Sequence, residues 1–420
     1  MTPTTQELAA AVEAQRPWME DLLVRLVEAP TTLGREEPGQ AIMADAFADA
    51  GLAPRDVPLD GEALRRHPNA SPFSWDVAGK RCVVADWPGA GTGGRSLILG
   101  GHVDVVPPAA EELWTHPPFQ AVRDGDWLYG RGGGDMKAGL VAMTGAARAV
   151  AGLGLRPQAR VQLQSVVEEE CTGNGALQCV LSEPPADACV ITEPHPDHFT
   201  IAQVGVLWFH VDILGVPAHA ARASTLGTNA IDAATRITAA LRELERELNA
   251  DPPAPYDRFE HPINLNPGII AGGDWTSTVA AHCTVSYRLA CYPDDDPAEL
   301  RRQVENCVAA AARDDAFLAG TPPRVRFEGF SCEGFVVSES EPVIASLAGA
   351  YEAVLGVPPE LVPTTATTDA RHYVRSGIPT ICFGPRAEEI HGIDERVSLS
   401  SLGQTATVLA LFLRDWCGLA

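Results

Sequence analysis

Lysine is nearly absent from this chain, and basic residues as a whole are scarce. Lys80 and Lys137 are the only two lysines among 31 basic residues, against 55 acidic residues, so the 420-residue chain carries a formal net charge of −24. This charge excludes a general affinity for nucleic acid or for an anionic membrane surface, because both attract basic patches. We expect most of the excess acid to form a solvated surface.

Long apolar runs and paired cysteines are absent as well. No segment approaches the run of about 18 apolar residues that marks a transmembrane helix. The first residues lack the basic and apolar regions of a secretory signal. The ten cysteines form no CxxC pair and no finger-like spacing, which favours buried, reduced thiols over a disulfide framework. We therefore expect a cytoplasmic protein without a membrane or nucleic-acid partner.

The composition, 45% hydrophobic and 20% charged, is that of a globular protein long enough for two or three domains. Up to about residue 205, helix-like and strand-like segments alternate, which indicates an α/β layer with a mostly parallel sheet. Segments 82–85 and 96–101 flank a glycine-rich loop and are interpreted as a hairpin. The other predicted elements of this part are helices at 6–29, 37–51, 135–152 and 173–181 and strands at 159–167 and 187–192.

The pattern changes near residue 206 and returns near residue 337. The intervening block has an alternating strand at 206–214, a long amphipathic helix at 228–249, and a further strand and helix. These segments indicate a small α+β unit inserted into the larger one. We therefore predict a larger α/β domain formed by residues 1–205 and 337–420, interrupted by a smaller α+β domain at 206–336.

Two glycine-rich motifs place candidate metal ligands at the ends of elements. Gly-Gly-His102-Val-Asp104-Val-Val-Pro follows an apolar strand, at the carboxyl edge where open α/β sheets place their sites. A carboxylate near a metal-binding imidazole can fix the tautomer of that imidazole. The second motif, Gly-Arg-Gly-Gly-Gly-Asp135-Met-Lys, places an acid at the mouth of a helix, although an ordinary N-cap would explain that acid taken alone.

Further acids and a second histidine follow other predicted strands. Glu168-Glu169-Glu170 and Glu193 each come directly after an apolar segment, and His391 lies in a loop beyond another. Clustered carboxylates repel one another unless a cation lies among them, although a solvated turn would also explain the triplet. Histidine and carboxylate donors suit Zn²⁺, Co²⁺ or Mn²⁺. Two such ions bridged by one carboxylate would favour hydrolysis.

These motifs, in this order and spacing, resemble those of the M20 family of metallopeptidases and amidohydrolases. That family contains acetylornithine deacetylase, succinyl-diaminopimelate desuccinylase, aminoacylase and glutamate carboxypeptidase. The resemblance covers nearly the whole chain and rests on both glycine-rich motifs, the glutamate triplet, Thr-Glu193-Pro and His391-Gly.

The resemblance implies a role for each residue of a dinuclear centre holding two divalent ions, Zn²⁺ or else Co²⁺ or Mn²⁺. Asp135 would bridge the two ions. His102 and Glu193 would complete one site, and Glu169 and His391 the other. Asp104 would orient His102, and Glu168 would be the general base that activates a metal-bridging water.

The resemblance implies that residues 1–205 and 337–420 form the catalytic domain and that the 206–336 block is a lid and dimerisation domain. Its segment Gly-Val-Pro-Ala-His219-Ala matches a lid motif whose histidine stabilises the oxyanion, in many members across the dimer interface, so a homodimer is expected. Arg288 would hold the carboxylate of the substrate. Asp369 and Arg371 lie in a Thr-Asp-Ala-Arg sequence that resembles a loop near the substrate. A purely structural ion pair is the alternative for both arginines.

Three positions depart from the family pattern and leave the substrate open. Thr278 and Ala281 stand where many members have asparagine and proline, and Thr367 stands where glycine often precedes the Thr-Asp-Ala-Arg loop. We expect an amidohydrolase that removes an acyl group from an N-acyl amino acid, as acetylornithine deacetylase does. The alternatives are a deacylase of succinyl-diaminopimelate or of a formylaminopyrimidine, a metallo-carboxypeptidase or dipeptidase, and, remotely, a non-catalytic metal-binding scaffold.

Overall fold

The computed structural model describes residues 2–420, and within them the strands form three β-sheets. The strands are β1 (Ala53–Pro58), β2 (Arg81–Trp87), β3 (Leu97–His102), β4 (Val122–Asp124), β5 (Trp127–Tyr129), β6 (Val161–Val166), β7 (Ala188–Ile191), β8 (His198–Gln203), β9 (Gly205–Leu214), β10 (Leu265–Gly272), β11 (His282–Cys291), β12 (Arg324–Cys332), β13 (Phe335–Val336), β14 (Glu360–Thr364), β15 (Thr380–Cys382), β16 (Ala387–Glu388) and β17 (Arg396–Ser398). The α-helices are α1 (Thr5–Glu13), α2 (Arg16–Glu28), α3 (Glu37–Asp49), α4 (Gly61–Arg66), α5 (Ala138–Gly152), α6 (Asn174–Ser182), α7 (Ala223–Leu226), α8 (Ala230–Leu248), α9 (Pro297–Ala312), α10 (Ala316–Gly320), α11 (Pro342–Leu355), α12 (Ala370–Arg375) and α13 (Leu399–Phe412).

The largest sheet forms the centre of the catalytic part. Its order is β1-β2-β6-β3-β7-β15-β8-β13, with β14 paired to β8. The neighbouring strands β6, β3, β7 and β15 are mutually parallel. Every residue of β3, β6 and β7 is buried, as is typical of parallel strands whose two faces are both covered. The prediction of an α/β fold with a mostly parallel central sheet is confirmed.

The parallel strands bring the candidate ligands to one edge of this sheet. β3 ends at His102, β6 is followed by the glutamate triplet, and β7 is followed by Glu193. Because parallel strands have their carboxyl ends at the same edge, these side chains converge there. Helix α5 packs closely against this edge at Gly139. A Cβ atom at that position would lie only 2.0 Å from the main-chain oxygen of Thr192, so the contact requires glycine.

A second unit is built around the antiparallel sheet β10-β11-β9-β12. It has its own apolar core, to which α8 and α9 contribute residues such as Ile237, Leu241 and Val304. The strands β8 and β13, which flank this unit in the chain, both pair in the large sheet. The chain therefore leaves the catalytic part after β8 and returns to it at β13, close to the predicted boundaries at 206 and 336.

Two sequence-based element predictions that involve glycine-rich segments are wrong. The segments 82–85 and 96–101 do not form a hairpin: β2 pairs with β1 and β6, while β3 lies between β6 and β7. The connecting loop instead bonds to distant chain, since Ala90 and Arg95 donate their N–H groups to Pro157 and Trp416. The helix predicted at 135–152 begins only at Ala138, because Asp135 and Met136 have non-helical backbone angles.

The helix predicted at 6–29 is divided into α1 and α2 by a turn at Ala14–Gln15, with Pro17 in the first turn of α2. All ten cysteines are free thiols, as expected. Among residues 2–420, no helix has both the length and the apolar character needed to cross a membrane.

Phe199 in β8 provides a test of the catalytic core. Its ring is fully buried and makes edge contacts with Tyr351 and Phe383 at centroid distances of 5.6 and 5.4 Å. Phe199→Ala removes these contacts and leaves a cavity, so we expect the free energy of unfolding to fall by about 3–5 kcal/mol. Urea unfolding followed by tryptophan fluorescence measures this change.

The matched control is Val336→Ala, at a position that is 54% exposed. We expect that substitution to change the free energy of unfolding by less than about 0.5 kcal/mol. Equal effects of the two substitutions would contradict the described packing.

Candidate metal centre

Asp135 lies between two histidines that come from distant parts of the chain. Its Oδ1 atom is 3.1 Å from Nε2 of His102, and its Oδ2 atom is 3.4 Å from Nε2 of His391. Each carboxylate oxygen therefore faces one imidazole. A carboxylate in this arrangement can bridge two cations, with one imidazole completing each side.

Each side of Asp135 has a second carboxylate. Glu193 Oε1 is 3.9 Å from Nε2 of His102, and Glu170 Oε2 is 3.1 Å from Nε2 of His391. One ligand atom each from His102, Asp135 and Glu170 lie within 4.8 Å of one another. The structure thus brings all five predicted ligands together, but Glu170 rather than Glu169 is the glutamate beside His391.

Glu168, the predicted general base, lies outside this cluster. Its side chain is fully buried, and its Oε1 atom accepts hydrogen bonds from Lys80 Nζ at 2.7 Å and Trp75 Nε1 at 2.8 Å. The reason is local: β6 ends at Val166, and Glu168 has a left-handed φ of +65°. The alternation of strand side chains therefore stops before the triplet, and no sequence pattern indicates how the turn directs each glutamate.

Glu169 occupies the place predicted for Glu168. Its Oε2 atom is 4.0 Å from Nε2 of His102, and its Oε1 atom is buried without a hydrogen-bond partner among residues 2–420. Glu169 also lines the cavity described below. The places predicted for Glu168 and Glu169 are thus each occupied by the next residue along the chain, Glu169 and Glu170.

Asp104 orients its neighbours differently from the prediction. The main-chain oxygen of Asp104, rather than its carboxylate, lies 2.9 Å from Nδ1 of His102. Because a carbonyl oxygen can only accept, Nδ1 carries the proton and Nε2 is free to bind a cation. The Asp104 carboxylate accepts the backbone N–H groups of Glu169 and Glu170 at 3.2 and 3.1 Å. Burial raises the pKa of Asp104 to about 7.

Glu395 and Arg131 support the loop that carries Asp135, and the sequence analysis did not identify either. The buried Glu395 carboxylate accepts backbone N–H groups from Gly132, Gly134 and Asp135, each at 3.0 Å, and pairs with Arg131 at 2.6 Å. Arg131 also donates to the main-chain oxygen of Gly392 at 2.9 Å. The two residues therefore connect the Asp135 loop with the His391 loop. The available sequence signal was the position of Arg131 within the second glycine-rich motif and of Glu395 four residues after His391.

The charges of the cluster fit divalent cations. Burial raises the pKa of Glu169 and of Glu193 well above the ordinary range, and repulsion from neighbouring carboxylates adds to the effect. Burial lowers the pKa of His391, but hydrogen bonds to Asp135 and Glu170 outweigh it and raise that pKa to about 11. An acidic excess with nitrogen and oxygen donors, and no thiolate, matches the ligands that Zn²⁺, Co²⁺ and Mn²⁺ bind.

Unpartnered oxygens support the same interpretation. The atoms Oε1 of Glu169, Oε1 of Glu170 and both carboxylate oxygens of Asp369 are buried without a hydrogen-bond partner among residues 2–420. Burial raises the pKa of Asp369 to about 6. Buried carboxylate oxygens that lack donors are costly unless a cation compensates them.

The contacts around Asp135 define the residues that are able to hold two ions. They are His102, Asp135, Glu170, Glu193 and His391.

A cavity of about 720 Å³ lies between the ligands and the antiparallel sheet of the inserted unit. Arg288 lines it and donates to the main-chain oxygen of Thr365 at 3.1 Å. Trp208 and Phe330 form an aromatic wall with ring centroids 5.4 Å apart. His195, two residues after Glu193, also lines the cavity and was not identified from the sequence.

Three residues predicted at the substrate do not line this cavity. Arg371 is 1% exposed and donates to the main-chain oxygens of Thr368 and Thr172 at 2.8 and 3.0 Å, so it connects two loops. Asp369 is buried beside it. His219 is exposed in the inserted unit, where its Nδ1 accepts the N–H group of Ala221 at 3.1 Å.

Known proteins resemble this chain in sequence and in fold. The sequence profile of Peptidase family M20/M25/M40 matches residues 98–415. The chain is 27% identical to the N-formyl-4-amino-5-aminomethyl-2-methylpyrimidine deformylase of Bacillus subtilis (strain 168) over 365 residues, which are 82% of this chain and 85% of that protein.

Solved structures agree with the fold. The Saccharomyces cerevisiae dipeptidase Dug1p superimposes with a TM-score of 0.80 at 14% identity, covering 99% of both chains. The YXEP protein of Bacillus subtilis, a dinuclear metal binding peptidase, superimposes with a TM-score of 0.58 at 16% identity, covering 96% of this chain and 98% of that one. Since the profile covers well over half of the sequence, the chain belongs to peptidase family M20/M25/M40 and is a metal-dependent hydrolase of amide C–N bonds.

Proposed function

We propose that this protein removes a formyl group from the amine of a small heteroaromatic compound. The observation that carries the proposal is the aromatic wall formed by Trp208 and Phe330, which lines the same cavity as Asp135 and Glu169. Aromatic side chains stack favourably against a flat ring. The similarity to a formylaminopyrimidine deformylase supports the same substrate class.

Glu169 is the general base in this proposal. Two divalent ions held by the five ligands would lower the pKa of water and polarise the scissile carbonyl. Glu169 takes one proton from the attacking water as its oxygen adds to the formyl carbon. The C–N bond then breaks, Glu169 returns the proton to the leaving nitrogen, and the products are formate and the free amine.

A second candidate is an N-acyl amino acid deacylase, of which acetylornithine deacetylase is an example, and Arg288 favours it. The guanidinium lines the cavity and has no acidic partner within 4 Å among residues 2–420. A forked guanidinium suits a substrate carboxylate. Burial lowers the pKa of Arg288, and a carboxylate of the substrate would offset that effect.

A substrate panel separates the two candidates. The protein is stripped with a chelator, reloaded with Zn²⁺, Co²⁺ or Mn²⁺, and assayed on a formylaminopyrimidine, N-acetylornithine, N-succinyl-diaminopimelate and dipeptides. We expect kcat/KM for the formylaminopyrimidine to exceed the others by at least about 100-fold, because a site built for one polar pattern rejects others by such factors. A preference for N-acetylornithine would support the second candidate instead, and no turnover of any compound would refute both.

Arg288→Met tests the role of the guanidinium. Losing a charge-assisted hydrogen bond costs about 1.5–3 kcal/mol, so we expect KM for an anionic substrate to rise about 10- to 100-fold. KM for a neutral formamide is expected to change much less. Steady-state kinetics on one substrate of each kind measure the difference.

The control for Arg288 is Arg246→Met. Arg246 forms an exposed ion pair with Glu243 on α8, and such pairs contribute little. It should leave both KM values unchanged. An Arg288→Met variant with the same KM as the native protein for the anionic substrate would show that the cavity does not use this charge.

We further propose that two copies of the chain associate through the inserted unit. Strand β10 is an open edge of its sheet, and Ile269, Ile270 and Trp275 on or beside it are 66%, 59% and 73% exposed. Open apolar edges of this kind favour pairing with another chain. His219 does not line the cavity of its own chain, so it could reach only the cavity of a second copy.

We also propose a cytoplasmic location, because ten free cysteines fit a reducing compartment.

Subunit complementation tests this association. His219→Ala and Glu169→Gln are each expected to be inactive, but their mixture is expected to regain about one quarter of native activity, because half of the dimers pair an intact base with the partner's histidine. Light scattering measures the mass in parallel, and Ile270→Lys is expected to give a monomer. A mixture without activity, or a native monomer, would contradict the proposal.

A further inference from the structure

Glu168 lies in the turn that follows β6, and three side chains donate hydrogen bonds to its carboxylate. Lys80 Nζ and Trp75 Nε1 donate to its Oε1 atom, and Thr172 Oγ1 donates to its Oε2 atom at 2.9 Å. None of these four side chains lines the cavity. The carboxylate is therefore held in place by groups that do not contact a substrate.

Lys80 extends this set of contacts to the start of α3. Its ammonium group lies 2.8 Å from Oε1 of Glu36, and that oxygen also accepts the N–H group of Gly34 at 2.9 Å. The side chains of Lys80 and Glu36 are only 10% and 5% exposed. A compact ammonium reaches both carboxylates at once. Apart from Lys80 and Lys137, all basic residues of this chain are arginine.

The main chain of Glu168 holds the far end of the same turn. Its carbonyl oxygen accepts the N–H groups of Thr172 at 3.0 Å and Gly173 at 2.7 Å. The left-handed φ of +65° is unfavourable for a residue with a side chain and persists where surrounding contacts enforce it. On the opposite side, Asp104 holds the N–H groups of Glu169 and Glu170.

We infer that Glu168, Lys80 and Trp75 form a positioning network that directs Glu169 and Glu170 toward the metal centre. Glu168 itself touches neither the ions nor the substrate. The inference rests on the proposed function only in assuming that the five ligands hold two ions. Its direct consequence concerns the side of Asp135 that Glu170 and His391 form, because His102 and Glu193 are carried by β3 and by the segment after β7.

Glu168→Gln tests the network by metal affinity. The amide keeps the size of the side chain but loses the charge that Lys80 pairs with. We expect the ion on the side of Glu170 and His391 to bind about 10- to 100-fold more weakly, as is typical when a supporting partner of a ligand is lost. The other ion should bind within about twofold of the native value. Competition with a chromophoric chelator, using Zn²⁺ and Mn²⁺ as probes, measures both dissociation constants without any substrate.

Two further variants define the cause. Trp75→Phe keeps the ring and removes one donor, so we expect the same ion to bind about fivefold more weakly, the equivalent of one ordinary hydrogen bond. Arg66→Met removes an exposed ion pair with Glu62, whose side chains are 70% and 79% exposed, and should change neither constant. Thermal unfolding shows whether each variant is folded, and Trp75→Phe decides the question if Glu168→Gln is not.

Glu169→Gln separates positioning from catalysis. It is expected to bind both ions and to lose nearly all turnover, whereas Glu168→Gln at saturating metal should regain much of its kcat. Native affinity for both ions in folded Glu168→Gln and Trp75→Phe would overturn the inference. Full metal content with turnover abolished in Glu168→Gln, and retained in Glu169→Gln, would also overturn it and would make Glu168 the base. If the native protein turned over no substrate, the metal constants alone would still decide.

Discussion

The structure depends on placing several carboxylates in one buried cluster at the edge of a parallel sheet. Asp135 is at its centre, and its loop is held by one further buried carboxylate, Glu395, which accepts three backbone N–H groups and pairs with Arg131. Buried charges are stable only where donors or cations compensate them. The protein supplies backbone donors and Arg131 for Glu395, but it leaves one oxygen of Glu169 and one of Glu170 without a donor among residues 2–420. This difference between supported and unsupported carboxylates supports the candidate metal site.

The sequence predicted the parts of this arrangement that depend on topology. His102 and Glu193 follow buried apolar strands, and parallel strands necessarily end at one edge, so their convergence could be inferred. The hairpin prediction failed because a glycine-rich loop was assumed to be local, whereas it bonds to Pro157 and Trp416. The predicted placement of the three glutamates also differs from the structure. The left-handed backbone at Glu168 leaves no local sequence pattern, and neither does its pairing with Lys80, 88 residues away in sequence.

The two units of the chain divide recognition from chemistry. The larger unit supplies the candidate ligands and Glu169, while the antiparallel sheet of the inserted unit supplies Trp208 and Arg288 to the opposite wall of the cavity. The departures at Thr278 and Ala281 lie in the inserted unit, which contributes none of the candidate ligands.

The location of the ions tests the account most directly. Anomalous diffraction from crystals of the protein loaded with Zn²⁺ or Mn²⁺ should show two peaks, one on each side of Asp135. We expect one ion to be coordinated by His102 and Glu193 and the other by Glu170 and His391, with Glu168 coordinating neither. A single ion, or an ion coordinated by Glu168, would contradict the account.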